Sequence, residues 1–371
     1  MKQKEKKQKT KYDTIMNKRE LRLQKGQKPM IGIDIGTDFI KIVQMKKNSR
    51  ISKLGMKSIP EGMVNQGRIE ASTSLAEEIK RALSQNKIKG NRCSLCLSGS
   101  ELIVRELKIP EMSESQIFEN IKYEITSFLP LNHDDYCIDY KVLEYIPSQD
   151  TTPAKLRLMV AAVPNSLVQN YINTLKKARL KVSYVDVAPN IAGKIARWIM
   201  SNSADKNINK NICMIDFGAH TTDITILKDG NYFIHKSIIN GGDYITSLIA
   251  DKMNLDLMEA EAFKLKTNLF DENFHNSVNQ HIKNFIDFQI TDIERTIEFF
   301  NNRNNNVGVD QIYIMGGGSL LSGLAKYMEE HLSVSVSLLS DALKQFKNGN
   351  LFGDKVSVFS QAIGATMREE C

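Results

Sequence analysis

Two short stretches carry the same arrangement of chemistry, Asp34-Ile-Gly36-Thr37-Asp38 and Asp216-Phe-Gly218-Ala-His-Thr221-Thr222. In each, an acid ends an apolar run, a glycine stands two residues later, and hydroxyl residues lead into a second apolar run. A glycine at such a turn lets a bulky ligand come close to the backbone. Successive backbone N–H groups, with the hydroxyls of Thr37, Thr221 and Thr222, make a nest for phosphate oxygens. The carboxylates of Asp34 and Asp216 would repel a phosphate placed on them. Their chemistry is instead to orient the waters of a Mg²⁺ ion, which keeps much of its hydration shell. A third stretch, Met315-Gly316-Gly317-Gly318-Ser319, leaves room for a flat base or ribose against backbone. An ordinary turn explains either hairpin alone, and one Gly-rich loop is a weak signal. Three loops in this order point to a nucleotide gripped from two sides. The cofactor-binding candidates are Asp34, Gly36, Thr37, Asp38, Lys41, Asp216, Gly218, Thr221, Thr222, Gly316, Gly317, Gly318 and Ser319, with Asp34 and Asp216 facing the metal.

The elements that must position these residues follow from hydrophobic period. Ile31, Ile33 and Ile35 alternate, as do the residues from Phe39 to Val43, so two strands meet at the Gly36 turn. A third strand is expected over Ile51–Ile59, a helix around Leu75, Ile79 and Leu83, and a strand over Cys93–Leu97. Residues 102–187 spell β-α-β-β-α-β, with a capping-box pattern at Ser113-Glu-Ser-Gln116 and Pro130 stopping the helix that contains Phe128. Beyond a polar linker, 202–211, the second Asp-X-Gly pair of strands begins. Gly241-Gly-Asp243 leads into a helix through Ile245, Leu248 and Ile249, and further helices follow at 259–264, over Val278–Phe300 and over Leu321–Glu330. The pattern divides into a basic tail (1–28), a first domain (29–101 and 188–210), an inserted α+β subdomain (102–187), a second domain (211–354) and a closing segment (355–371).

Composition narrows the function classes. The chain has 371 residues, 42% hydrophobic and 25% charged, which suits a soluble globular protein of two domains or so. No apolar run approaches the roughly 20 residues of a membrane span, and no secretory pattern opens the chain. Residues 1–28 hold eleven Lys or Arg against three acids, which accounts for the whole net charge of +7. The remainder is close to neutral, which argues against a nucleic-acid groove. The tail has too few apolar residues to pack and is expected to be disordered. It is either a solvated leader or a segment drawn to anionic lipid. The five cysteines suit a reduced, cytosolic protein. Cys93 and Cys96, three apart in a strand, would point to opposite faces and suit a shared metal poorly.

The three loops together resemble the phosphate and adenosine motifs of the actin-like ATPases. Within that superfamily the chain most resembles the PilM family of type IV pilus assembly. The insert carries this likeness: Arg105-Glu-Leu-Lys-Ile-Pro110, Ile121-Lys-Tyr-Glu-Ile-Thr-Ser-Phe-Leu-Pro130 with Asp139-Tyr140, Val160-Ala-Ala-Val163 and Val185-Asp-Val-Ala-Pro189. The resemblance covers about residues 30–367. It implies an α/β, two-domain actin-like (ribonuclease H-like) fold with an inserted subdomain, and ATP with Mg²⁺ as cofactors. It implies at most slow ATP turnover in a cytoplasmic protein at the inner membrane. The implied partner is the cytoplasmic tail of a PilN-like membrane protein, with the pilus assembly ATPase and self-association as further candidates. Glu261 and Lys264 match a Glu-x-x-Lys helix that contacts ribose and adenine in relatives, or form an exposed i,i+3 salt bridge. Asp186 matches a water-positioning acid, the catalytic candidate, or caps a strand end. Asp38 departs from the family, which often has serine there. Two other readings share the superfamily. One is an FtsA-like division protein, which would end in a linker and an amphipathic membrane helix. The chain's end, Ala365-Thr-Met-Arg-Glu-Glu-Cys371, speaks against it. The other is a small-molecule kinase, for which no substrate-binding set stands out.

Overall fold

The computed structural model describes residues 30–46, 50–127, 133–149, 153–202, 211–271, 276–344 and 349–367. The basic tail, Phe128, Pro130, the turn after Lys46, most of the 202–211 linker and the last four residues lie outside them.

The first lobe is built on five strands: β1 (Met30–Ile35), β2 (Phe39–Lys46), β3 (Arg50–Ser58), β6 (Arg92–Leu97) and β10 (Lys181–Val187), in the order β10-β6-β1-β2-β3. A small hairpin, β4 (Val64–Asn65) and β5 (Arg68–Ile69), was not legible in the hydrophobic pattern. β1 is the middle strand and is buried on both faces. Ile31, Ile33 and Ile35 face an outer core with Leu75, Ala76 and Ile79 of helix α1 (Ser72–Gln85). Burying each such isoleucine contributes about 1.5–3 kcal/mol. The other face carries Gly32 and Asp34. A Cβ at Gly32 would overlap the carbonyl of Ala362, so the glycine is what lets another helix lie directly on the sheet.

That helix is the last one. The second lobe repeats the plan, with β11 (Ile212–Phe217), β12 (Thr221–Lys228), β13 (Asn231–Ile239), β14 (Gln311–Met315) and β15 (Val336–Leu338) in the order β13-β12-β11-β14-β15. Cys213 and Ile215 face outward to a core with Ile249 of α5 (Gly242–Met253) and with Ile282, Ile286 and Ile293 of α7 (Asn276–Arg303). α6 (Leu257–Lys264) packs on α5. Ile212 and Met214 face inward, joining Val43 and Cys96 of the first lobe. Between the lobes lie α4 (Ala188–Asn202) and α10 (Ser360–Thr366), with Ile191, Ile195, Ala362 and Ile363 buried. One apolar layer therefore ties both sheets together.

Three expectations change. The inserted unit is β7 (Ile103–Pro110), α2 (Glu114–Ile125), β8 (Tyr136–Ile146) and β9 (Lys155–Pro164), in an antiparallel sheet ordered β7-β9-β8. The strand at 181–187, expected to close the insert, instead pairs in parallel with β6 at the edge of the first sheet. The helix before it, α3 (Asn165–Lys177), packs against α1. Alternation identifies a strand but not the sheet that receives it, which explains the difference. The glycines at 316–318 lead into a 3-10 turn over Gly318–Leu320, and the helix α8 spans Leu324–Leu332 rather than beginning at Leu321. Leu321 is extended (φ −60°, ψ 120°), which breaks the helical path. Finally, β15 and the short helix α9 (Leu339–Leu343) went unread because each is too short to show a period.

Within the insert, Ile117, Ile121 and Ile125 pack on Leu156, Leu158 and Val160. The expected capping box forms, with the backbone N–H of Ser113 donating to Gln116 Oε1 at 3.0 Å.

Candidate functional site

In the first hairpin, Gly36 N–H donates to the Phe39 carbonyl at 3.1 Å and closes the turn. Asp34 and Lys41 stand opposite each other in register, and Lys41 Nζ lies 3.3 Å from Asp34 Oδ2. Asp34 is buried and Lys41 half-buried. Burial works against the ammonium, but the carboxylates of Asp34 and Asp216 outweigh it and hold Lys41 above its ordinary range. The same row runs on across the sheet, from Asp34 to Cys96 on β6 and from Cys96 to Asp186 on β10.

The second hairpin has the same turn, with Gly218 N–H donating to the Thr221 carbonyl at 2.9 Å. Here the acid faces another acid, because Asp216 stands opposite Asp223. Burial pushes the Asp216 carboxyl up to about 6, against the pull of Lys41 and of the Gln361 amide; Asp223 and Asp34 add to the rise. Gln361 Nε2 donates to Asp216 Oδ2 at 2.9 Å. Burial also raises Asp223. Thr221 Oγ1 donates to Asp223 Oδ2 at 3.3 Å, and the buried Thr222 hydroxyl donates to the Asn240 carbonyl at 3.4 Å. The hydroxyls read as phosphate donors in this loop thus have protein acceptors here. Thr37 is half-buried at the first turn.

The second loop rests on the start of α5. Gly242 N–H donates to the Gly218 carbonyl and Asp243 N–H to the Ala219 carbonyl, both at 2.9 Å. Asp38 meets Asp243 across the gap between the lobes. Burial raises Asp38, while a hydrogen bond with Asp243 pulls it down. Burial, followed by the charge of Asp38, pushes Asp243 up to about 6. Glu261 and Lys264 pair with each other at 2.6 Å. Both also bind the Thr246 hydroxyl, which donates to Glu261 Oε2 at 2.6 Å and accepts from Lys264 Nζ at 2.8 Å. Lys264 donates as well to the Gly242 carbonyl at 3.2 Å. The pair therefore pins α6 to the start of α5 beside the second loop.

Gly316 completes this side. Its φ of +84° lies in the left-handed region, and a Cβ there would overlap Asp216 Oδ1. Gly316 N–H donates to the Ser357 carbonyl at 3.1 Å, and the buried Ser319 hydroxyl donates back to the Gly316 carbonyl at 2.7 Å. Gly318 lies against Phe217, whereas nothing stands within 4 Å of a Cβ placed at Gly317. That position is open for a flat group.

Asp186, near the end of β10, is engaged by the helix that follows it. Lys194 Nζ lies 2.6 Å from it, Asn190 Nδ2 donates at 2.9 Å and Val187 N–H at 2.8 Å. Burial opposes the charge, yet Lys194 and these donors carry the carboxyl below its ordinary value. This is the geometry of a cap on α4. Asn190 also accepts from Lys141 of the insert at 3.3 Å, so the cap touches the inserted sheet.

The structure brings Asp34, Lys41 and Asp216 together, with Gly316 against Asp216, and sets Asp38 beside Glu261 and Lys264. Sequence reading missed Asp223, Asp243 as a partner of Asp38, Lys194 and Gln361. Asp223 had a signal, since it follows Asp216 by the same seven residues that separate Lys41 from Asp34. Gln361 had none.

The residues fit a magnesium nucleotide. Two carboxylates from opposite lobes share one half-buried ammonium, the turn amides lie nearby, and Gly317 is open. Among the described residues no three His, Cys, Asp or Glu side chains are grouped to hold a metal directly.

A family profile described as type IV pilus assembly protein PilM matches residues 32–369. The cell division protein FtsA of Escherichia coli (strain K12) is 22% identical over 263 residues, covering 65% of this chain and 60% of FtsA. FtsA of Streptococcus pneumoniae serotype 2 is 22% identical over 258 residues, 63% of this chain and 54% of that protein. The chain thus spans about 60% of the length of the curated relatives it matches. Among solved structures, a PilM–PilN type IV pilus biogenesis complex superposes with a TM-score of 0.76 at 23% identity, covering 91% of this chain and 97% of that one. The ethanolamine utilization protein EutJ from Carboxydothermus hydrogenoformans gives 0.55 at 12% identity over 91% and 89%. The fold is that of the actin-like ATPases.

Proposed function

The chain belongs to the PilM family of type IV pilus assembly proteins, and from that premise we propose that it is a cytoplasmic, ATP-binding member of the inner-membrane assembly platform. In this reading it docks the cytoplasmic tail of a PilN-like membrane protein in a way that depends on the nucleotide. The observation that carries the nucleotide half is the convergence of Asp34 and Asp216, from opposite lobes, on Lys41. Lys41 would neutralise phosphate charge, Asp34 and Asp216 would orient ion-bound waters, and Gly316–Gly318 would bed the nucleoside. Bound Mg·ATP supplies the polyphosphate charge that the two turns grip together. Lys194, Asn190 and the Val187 N–H take three of the about four acceptor positions of Asp186, and this structural engagement favours holding nucleotide over rapid turnover.

The docking half rests on the insert's ties to both lobes. Lys141 donates to Asn190 in the first lobe's α4. The buried Arg157 binds Glu144 Oε2 at 2.9 Å and Glu106 Oε2 at 3.0 Å, and donates to the Tyr232 carbonyl of the second lobe at 3.2 Å. A change in lobe posture would therefore reach the insert. No helix of the described residues is long and apolar enough to cross a membrane, and attachment is proposed to run through the partner. The FtsA matches favour a second reading, a division protein linking filaments to the membrane. Fluorescence anisotropy with a labelled PilN-like tail peptide separates the two. Binding that changes several-fold on adding Mg·ATP is expected, and no binding at high micromolar protein would overturn the pilus reading.

A further inference from the structure

Gln361 sits on α10, the helix that lies on β1 over Gly32, and only 4% of its surface is exposed. Its amide spans the lobes. Nε2 donates to Asp216 Oδ2 at 2.9 Å in the second lobe, and Oε1 accepts from Cys96 Sγ at 3.5 Å in the first. Burial, with Asp34, Asp186 and Asp216 nearby, pushes the Cys96 thiol well above its usual range, so it keeps its proton. A carboxylate only accepts and a protonated thiol can donate, and together these two groups fix the orientation of the amide. The helix itself cannot slide away. Gly364 packs so closely on Ile191 that a Cβ would overlap it, and Gly316 N–H is held by Ser357, three residues before the helix.

We propose that Gln361 is the positioning residue through which the closing helix reads the second loop: it holds Asp216 toward the first lobe, and engagement of Asp216 by the hydration shell of a bound magnesium nucleotide is transmitted through its amide to α10 and β6. The inference rests on the nucleotide-binding reading above. Where charge is drawn to Asp216, the amide must shift or share its acceptor. Because the same amide touches Cys96, the first sheet registers the change.

The test uses the full chain and two readouts. Without nucleotide, urea unfolding of Gln361→Met, Asp216→Ala and the double variant forms a cycle. Methionine keeps the length and burial of glutamine but has no donor. Non-additive midpoints are expected, and additive ones overturn the tie. With saturating Mg·ATP, amide hydrogen exchange of wild type is expected to change several-fold in Ser360–Thr366 and Arg92–Leu97 as well as around Gly218. In Gln361→Met the change should remain around Gly218 and be lost in the other two segments. An equal change there in both proteins overturns the proposal, and a purely structural role for Gln361 would not remove it selectively. A wild type that takes up no nucleotide overturns the nucleotide reading and the read-out together. Bound nucleotide with additive midpoints overturns the tie alone.

Discussion

The two Asp-X-Gly hairpins share a turn and a register, yet the residue opposite the acid differs in charge. Asp34 faces Lys41, whereas Asp216 faces Asp223. The first hairpin is locally neutralised and the second is not, so Asp216 depends on a cation and an amide from elsewhere, Lys41 and Gln361. A symmetric pair of loops has become an asymmetric clamp in which the first lobe carries the cation and the second carries the unsatisfied charge. The second lobe alone would be electrostatically incomplete, which draws its Asp216 toward the cation of the first.

The largest break in this comparison should come from Lys41→Met. It leaves two buried carboxylates without their shared cation, and losing one partner of a buried pair costs about 3–5 kcal/mol. Urea unfolding at pH 7 would measure it, and the loss should shrink on acidification. Gly316→Ala comes next. It forces a left-handed backbone on a residue with a side chain and drives a Cβ into Asp216 Oδ1. Strain of that kind costs roughly 1–3 kcal/mol, readable as a lower melting temperature.

Acid should reveal the second hairpin specifically. The Asp216 carboxyl titrates at about 6 when folded, above about 3.9 when unfolded, so the folded protein takes up the extra proton. The stability cost is present above about pH 6 and is relieved as pH falls through 6 toward 4. Wild type should therefore gain stability between pH 7 and pH 5 relative to Asp216→Asn, by about 1.3 kcal/mol. Asp243, also pushed up to about 6, contributes the same sign in both proteins and drops out of the comparison. The smallest expected effect is at Asp38. Replacing it by serine removes a negative charge from the first turn and from its contact with Asp243. Nucleotide affinity should rise by about threefold to tenfold, the scale of a partly screened charge, as read by titration of a fluorescent ADP analogue.

Much of the clamp was legible because strands and tight turns leave local marks. The alternation in Ile31–Ile35 and its echo in Ile212–Phe217 located both hairpins, and the glycines at 316–318 located the third loop. What escaped was what depends on packing at long range. Nothing in Lys181–Val187 says that it joins β6 rather than the insert, and nothing in Ser360-Gln361-Ala362 says that one amide will reach Asp216, 145 residues away. Glu261 and Lys264 were legible as a pair, but their shared partner Thr246 lies on another helix. Spacing within a motif is written in sequence, whereas the neighbour that satisfies a buried charge is chosen by the fold.

In the proposed function the two hairpins close on one magnesium nucleotide. Thermal unfolding of the full chain with and without Mg·ATP, alongside Asp216→Ala and Asp34→Ala, tests it most directly. At a hundred times the dissociation constant, bound nucleotide should stabilise wild type by about 2.7 kcal/mol, seen as a melting temperature several degrees higher, with most of that shift lost in each variant. A wild-type melting temperature that does not move at millimolar Mg·ATP, or that moves equally in all three proteins, would overturn the nucleotide reading.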